Sequence, residues 1–347
     1  MESAEKNLTG ISFGGAGARV FGHFGVLTHL LENGVLKDVR DWYGCSAGSW
    51  CALFGAIGGT ASWLRDMMPH FDILSCITPE EDITTSLLND FGIVAGRETL
   101  ELLKRFADTW EPGCSSWTFA DFARHRPGIT LTMIAVNVSR GELVAFNAKN
   151  TPDVLLFDAV YASCAIPLYG VPWKDKHGEY YCDGGIVEIY PWSCVTDKQH
   201  TLVIIISDKM ISGRTVTQEM RSIYEYICAL ANVLMKNRTG ASPKHWIAIN
   251  EKEIQMFEFR LTIDQRTALF KKGMAAAAGW LAFRKKVLAS GSLESRPPCV
   301  GRHTSLSDHL SQNKTPDIPQ SDNPLLPPSP ALDSHGATRR PARRWSL

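Results

Sequence analysis

One serine stands where it could become a nucleophile: Ser46, inside Gly44-Cys45-Ser46-Ala47-Gly48. A G-x-S-x-G run fits a sharp strand-to-helix turn that exposes the hydroxyl. A free serine hydroxyl attacks poorly. It needs a base within hydrogen-bond reach and donors for the oxyanion that forms after attack. The turn carries one donor, the Ala47 N–H, at the positive end of the next helix. More donors are available upstream in Gly14-Gly15-Ala16-Gly17-Ala18-Arg19, where successive N–H groups can converge on an anion. Arg19 adds charge there or holds the loop in shape. A base is available in Asp183-Gly184-Gly185, whose glycines let the backbone turn the carboxylate toward a neighbour. An Asp can serve a serine directly, without an intervening histidine. Together these residues point to acyl transfer at an ester.

Two other assignments compete. The glycine turn could be a dinucleotide fingerprint, but Val20 stands at the third glycine. The next strand also leads to a serine turn, not to a ribose-binding acid. A Ser-Asp-His triad would draw on His200 or His245, which follow Asp183 in the right order. His200 directly precedes an apolar strand and reads as a turn residue. His23 and His29 lie on the first helix and read as ordinary surface or core histidines.

These groups need a scaffold. Leu8–Phe13 reads as a strand feeding the glycine turn, and Val20–Asn33 as a helix through Val20, Phe24, Leu27 and Leu31. Val39–Gly44 is a short strand, and Ala47–Ile57 an apolar helix. This order implies an α/β fold, a parallel sheet with helices on its faces. Trp63–Asp90 shows no clear period and reads as a cap or flap. Further helices are expected at Gly96–Thr109, Val154–Cys164, Thr217–Lys236 and Thr267–Leu288. Ile129–Val138 and Glu142–Asn147 read as a hairpin, and Leu202–Ile206 as a strand buried on both faces. Beyond Ser290 the chain turns rich in Pro and Ser: nine of its 18 prolines lie from Pro297 onward. Such a segment buries too little to offset its ordering entropy and reads as a disordered tail. It ends in a basic patch, Arg339-Arg340-Pro341-Ala342-Arg343-Arg344.

The 36 basic and 36 acidic residues cancel, so no global field selects nucleic acid. The nine cysteines show no C-x-x-C and no zinc spacing, and read as reduced thiols. No metal or other cofactor is expected. The N-terminus lacks the pattern of a signal peptide, and no apolar run reaches membrane-spanning length. The expected setting is cytoplasmic, with peripheral contact to membranes or lipid droplets.

In its motifs the chain resembles the patatin-like phospholipase family across residues 8–208. The family's oxyanion loop, G-G-G-x-R-G, reads Gly15-Ala16-Gly17-Ala18-Arg19-Val20. The elbow follows, then Ala162-Ser163-Cys164-Ala165-Ile166-Pro167 as the A-S-x-x-x-P block, then Asp183-Gly184-Gly185. The resemblance implies a three-layer α/β/α core over residues 8–210 and a helical part over 211–290 packed on it. It implies a Ser46–Asp183 dyad and an oxyanion hole of Gly15, Ala16, Gly17 and Ala47. Arg19, Gly44, Gly48, Gly184 and Gly185 would support the site. The implied reaction is hydrolysis of phospholipid or acylglycerol esters through an acyl-enzyme, without a metal. Three positions depart from the pattern: Ala16 and Val20 replace glycines, and Ile189 replaces an Asn. Ala16 is tolerable only at negative φ. The alternative is a relative that binds lipid but turns over poorly. Thr267–Leu288, a basic amphipathic segment, is one candidate membrane contact, and Trp63, Met67 and Met68 form a second; core packing is the preferred account for both.

Overall fold

The computed structural model describes residues 7–72, 77, 79–207, 222–236 and 243–290. The Pro-rich tail expected over 291–347 lies outside them.

The chain begins with β1 (Gly10–Phe13), a 3₁₀ turn at Gly17–Arg19 and α1 (Val20–Glu32). β2 (Asp41–Cys45) leads through Ser46 into α2 (Ala47–Ala56). Next come α3 (Ala61–Met67), α4 (Ile83–Asp90), β3 (Gly92–Val94), α5 (Arg97–Asp108) and α6 (Phe119–His125). The hairpin is β4 (Thr130–Asn137) and β5 (Glu142–Phe146). Then follow α7 (Leu156–Cys164), β6 (Leu168–Gly170), β7 (Trp173–Lys174) and β8 (Tyr180–Asp183). The last described elements are β9 (Thr201–Ser207), α8 (Ile223–Lys236), β10 (His245–Asn250) and α9 (Ile263–Ser290).

Eight of these strands form one helix-flanked sheet, in the order β10-β9-β1-β2-β4-β8-β7, with β5 on β4. From β10 to β4 the strands run parallel; β5 and β8 pair antiparallel with β4, and β7 pairs antiparallel with β8. The parallel strands are covered on both faces, which is why Leu202, Val203 and Ile204 can all be apolar and buried. β3 and β6 pair separately.

Two expectations need amending, and the preferred core-packing account covers Trp63, Met68 and α9, while Met67 is exposed. Residues 63–90 are not an irregular flap among the described residues; they contain α3 and α4, too short to declare a period. Trp63 packs at 4.4 Å from the Phe106 ring and 5.0 Å from Trp110, so it is core, as is buried Met68. Next, the part expected to be helical beyond residue 210 also supplies a strand. β10 continues the central sheet, paired from His245↔Leu202 to Asn250↔Ser207, with Ile247 and Ile249 buried. Finally, α9 turns Leu269, Phe270, Ala277 and Trp280 inward, and its Lys272 pairs with Glu251 and Glu253. Core packing accounts for that helix. No helix of the described residues is long and apolar enough to cross a membrane.

Candidate active site

In a parallel sheet the loops at the carboxyl ends of the strands share one edge. β1 and β2 are in register there, Phe13 beside Gly44, so the glycine turn and the elbow emerge side by side. Ser46 sits between β2 and α2 at φ 53°, ψ −136°. A non-glycine residue in that region is strained and persists only when its surroundings fix it. Here they do. The Ser46 N–H donates to Ser163 Oγ at 2.8 Å, and that hydroxyl donates to the Ile134 carbonyl at 2.7 Å. The Ser46 carbonyl accepts from the Ser49 N–H at 2.8 Å and from the Ser49 hydroxyl. Gly48 brings α2 against β1: a Cβ there would run into the carbonyl oxygens of Phe13 and Gly14.

Asp183 arrives from far along the chain. β8 pairs antiparallel with β4, placing Asp183 opposite Ala135. Its N–H donates to the Ala165 carbonyl at 2.8 Å, and its Oδ1 accepts from the Gly185 N–H at 2.7 Å. Gly184 and Gly185 open the short turn that makes this possible. The carboxyl is fully buried, and burial pushes its pKa from 3.8 up to about 7. The Ser46 hydroxyl and the Gly185 N–H pull the other way. Oδ2 meets no donor at full hydrogen-bond geometry, so the serine hydroxyl stands within influence of the carboxyl without being locked to it. Such bonds are often loose until substrate arrives.

The glycine turn is only partly open. The Gly14 N–H is bound to the Ile204 carbonyl, Gly15 to Ile189 at 2.8 Å and Ala18 to Met256 at 2.9 Å. The Gly15 N–H, expected among the oxyanion donors, is thus committed elsewhere because Ile189 lies directly over it. The N–H groups of Ala16, Gly17 and Ala47 have no acceptor among the described residues. Gly17 holds φ +55°, where a Cβ would strike the Met256 carbonyl. The two replaced glycines are harmless to the backbone: Ala16 sits at φ −135°, and Val20 at φ −54° as the first helical residue. Arg19 is buried, and its Nε donates to the Ala16 carbonyl at 3.3 Å. It holds the loop in shape.

Neither candidate triad histidine reaches the site. His200 precedes β9 and pairs with Asp197, and His245 begins β10; both lie at the amino ends of parallel strands, the opposite edge of the sheet. His23 is buried beside the Phe13 ring and kept neutral, lowered to about 3 by burial and by Arg19. Four thiols lie on the elements that carry the site: Cys45 on β2, Cys51 on α2, Cys164 on α7 and Cys182 on β8. Burial raises all of them: Cys182 to about 12, and Cys45, Cys51 and Cys164 well above their ordinary value. No group of three His, Cys, Asp or Glu among the described residues is placed to hold a metal.

Ser46, Ala47 and Gly17 line an apolar cavity together with Trp50, Leu100, Leu103, Tyr161 and Val171. Reading residues alone did not reveal the role of Ser163; its only signal was its place in the Ala162–Pro167 block. Ile189 and Met256, whose carbonyls brace the glycine turn, carried no usable signal in their type.

A family profile described as Patatin-like phospholipase matches residues 11–193, more than half of the 347. No curated protein matches the chain in sequence. Among solved structures, VipD from Legionella pneumophila is similar over 80% of this chain and 67% of its own, with a TM-score of 0.53 and 18% identity. The type III effector ExoU of Pseudomonas aeruginosa aligns at 17% identity and TM-score 0.44, over 81% of this chain. This chain spans 54% of ExoU. Human GIVD cytosolic phospholipase A2 aligns at 12% identity and TM-score 0.35, over 85% of this chain and 61% of its own. The fold and the matched profile together establish that the chain belongs to the patatin-like phospholipase family.

Proposed function

We propose that this protein hydrolyses acyl esters of lipids, phospholipid or acylglycerol, with Ser46 as nucleophile and Asp183 as its base. The observation that carries the reading is the pairing of a strained serine with a buried carboxyl poised near neutrality, at the wall of an apolar cavity. A base whose pKa lies near the working pH transfers protons best. Asp183 takes the Ser46 proton as Oγ attacks the ester carbonyl. The oxyanion rests on the N–H groups of Ala16, Gly17 and Ala47. The C–O bond breaks, and the leaving alcohol or lysolipid takes the proton from Asp183. Water then enters, gives a proton to Asp183 and attacks the acyl-enzyme. The acid leaves and Ser46 recovers its proton. The apolar cavity takes the acyl chain, and access to substrate requires transient contact with a lipid surface. The catalytic unit runs through α9, because β10 and α9 complete its sheet and core.

The test is fatty-acid release from mixed phospholipid and triacylglycerol micelles, native chain against Ser46→Ala, with fluorophosphonate labelling alongside. The variant should lose at least about 10³-fold in rate and all labelling. Equal release from both proteins would overturn the assignment. Which lipid disappears names the substrate class.

A further inference from the structure

A second cavity of about 390 Å³ lies against the first, and nothing in the proposed reaction uses it. Leu100, Tyr161 and Val171 line both cavities, so the partition is one side chain thick. Tyr161 is fixed in that partition, its hydroxyl donating to the carbonyls of Ala95 at 2.5 Å and Val171 at 3.0 Å. One stripe of α5 runs through both spaces. Leu103 faces the first cavity, Leu100 both and Arg97 the second. Residues three apart share a helix face, and this stripe is about 9 Å long. Its character changes from apolar to cationic just after the partition.

Past Leu100 the walls are Phe91, Trp173 and Tyr180, with Arg97 and Lys174 among them and Asp90 as the one acid. Arg97 has no ion pair among the described residues. Lys174 lies 5.1 Å over the Tyr180 ring. Burial pushes the Tyr161 hydroxyl up to about 12 while Arg97 works the other way, so the guanidinium field reaches the partition.

We propose that the second cavity is a distal subsite for the far end of a long acyl chain, and that Arg97 and Lys174 make it favour a chain ending in a carboxylate. The preferred substrates are half-esters of long dicarboxylic acids or similarly oxidised acyl groups. This rests on Ser46 as the site of ester attack, which sets the direction of the chain. The ester end lies at Ser46 and Ala47, the methylenes pass Leu103 and Leu100, and the terminal anion meets the two cations. The reaction is unchanged: ester and water give acid and alcohol.

Monomethyl hexadecanedioate and methyl hexadecanoate differ only at the far end, which makes them the probes. Binding is titrated in the Ser46→Ala protein, and methanol release is followed in the native chain. The half-ester should bind about fivefold more tightly, the value of partly exposed charge pairs. The double substitution Arg97→Gln/Lys174→Gln, added to the Ser46→Ala protein, should erase that preference. The four-carbon pair, shorter than the α5 stripe alone, should show no preference. Equal binding of the two sixteen-carbon esters, or a preference that survives the double substitution, overturns the proposal. Preference in binding without any methanol release would sink the hydrolase reading and leave the subsite standing. Release without preference would do the reverse.

Discussion

Among the described residues two carboxylates are buried, and they are treated in opposite ways. Glu251 lies just after β10, its side chain wholly covered. One oxygen accepts from the N–H groups of Glu253 at 2.7 Å and Ile254 at 3.0 Å; the other accepts from Lys272 at 2.9 Å. Burial pushes its pKa up, but those three partners outweigh it and hold the carboxyl below the usual 4.5. Asp183 has one N–H, one loosely placed hydroxyl and no cation, and rises to about 7. Burial alone therefore does not make a base. The difference is the number of donors: a satisfied carboxylate stays charged and ties a loop to α9, while an under-satisfied one is ready to take a proton.

The largest effect that could break this contrast comes from Asp183→Asn. Loss of the base should cut ester hydrolysis by about 10²–10⁴-fold. Native activity should rise with pH through about 7, as the carboxyl becomes charged. The stability sign is fixed too. The folded pKa is raised above 3.8, so the contribution to stability is full below 3.8 and is lost as pH rises through about 7. At pH 8 the Asn variant should thus be more stable than the native chain, by on the order of 4 kcal/mol. Urea midpoints at pH 5 and pH 8 read this directly; a variant no more stable at pH 8 would remove the ground for the contrast.

Glu251→Leu should act in the opposite sense. It strands the N–H groups of Glu253 and Ile254 and leaves Lys272 only its exposed partner Glu253, at a cost of about 3 kcal/mol at neutral pH. Because the folded pKa is lowered, Glu251 stabilises above 4.5, and that stability disappears as pH falls through the depressed value. The gap between native and variant midpoints should therefore narrow in acid. A gap that stays constant would mean that packing, not charge, is what the residue supplies.

The smallest change sharpens the contrast by loosening the frame around Ser46. Ser163→Ala removes the acceptor for the Ser46 N–H and the donor to Ile134, at about 1–3 kcal/mol. Misplacing the nucleophile should lower kcat by about 10²-fold. KM should move little, since Ser163 is not among the residues lining the acyl cavity. A change in KM alone would show that Ser163 shapes substrate binding instead.

Much of the site's first half was legible before any fold was known. The glycine turn and the elbow are local: each lies between a short strand and a periodic helix, so neighbouring residues declare them. Asp183 could be singled out by its glycines, but not its burial, which depends on β8 pairing with β4 across the chain. The committed Gly15 N–H was invisible because its acceptor, Ile189, belongs to a distant loop. α3 and α4 span too few turns to show a period, and β10 hides behind a half-polar alternation, His245-Trp246-Ile247-Ala248-Ile249-Asn250. Long-range pairing, not local preference, decides all of these.

The protonated thiols on the elements that carry the site have a consequence for chemoselectivity. Sulfur ordinarily outcompetes oxygen as a nucleophile because a fraction of it is thiolate at neutral pH. Here burial denies Cys45, Cys51, Cys164 and Cys182 that form, and Cys45 Sγ donates instead to the Glu188 carbonyl at 3.3 Å. Under the proposed reading, an electrophile admitted to the cavity meets the oxygen of Ser46 as its partner and, in Cys164, a thiol held protonated.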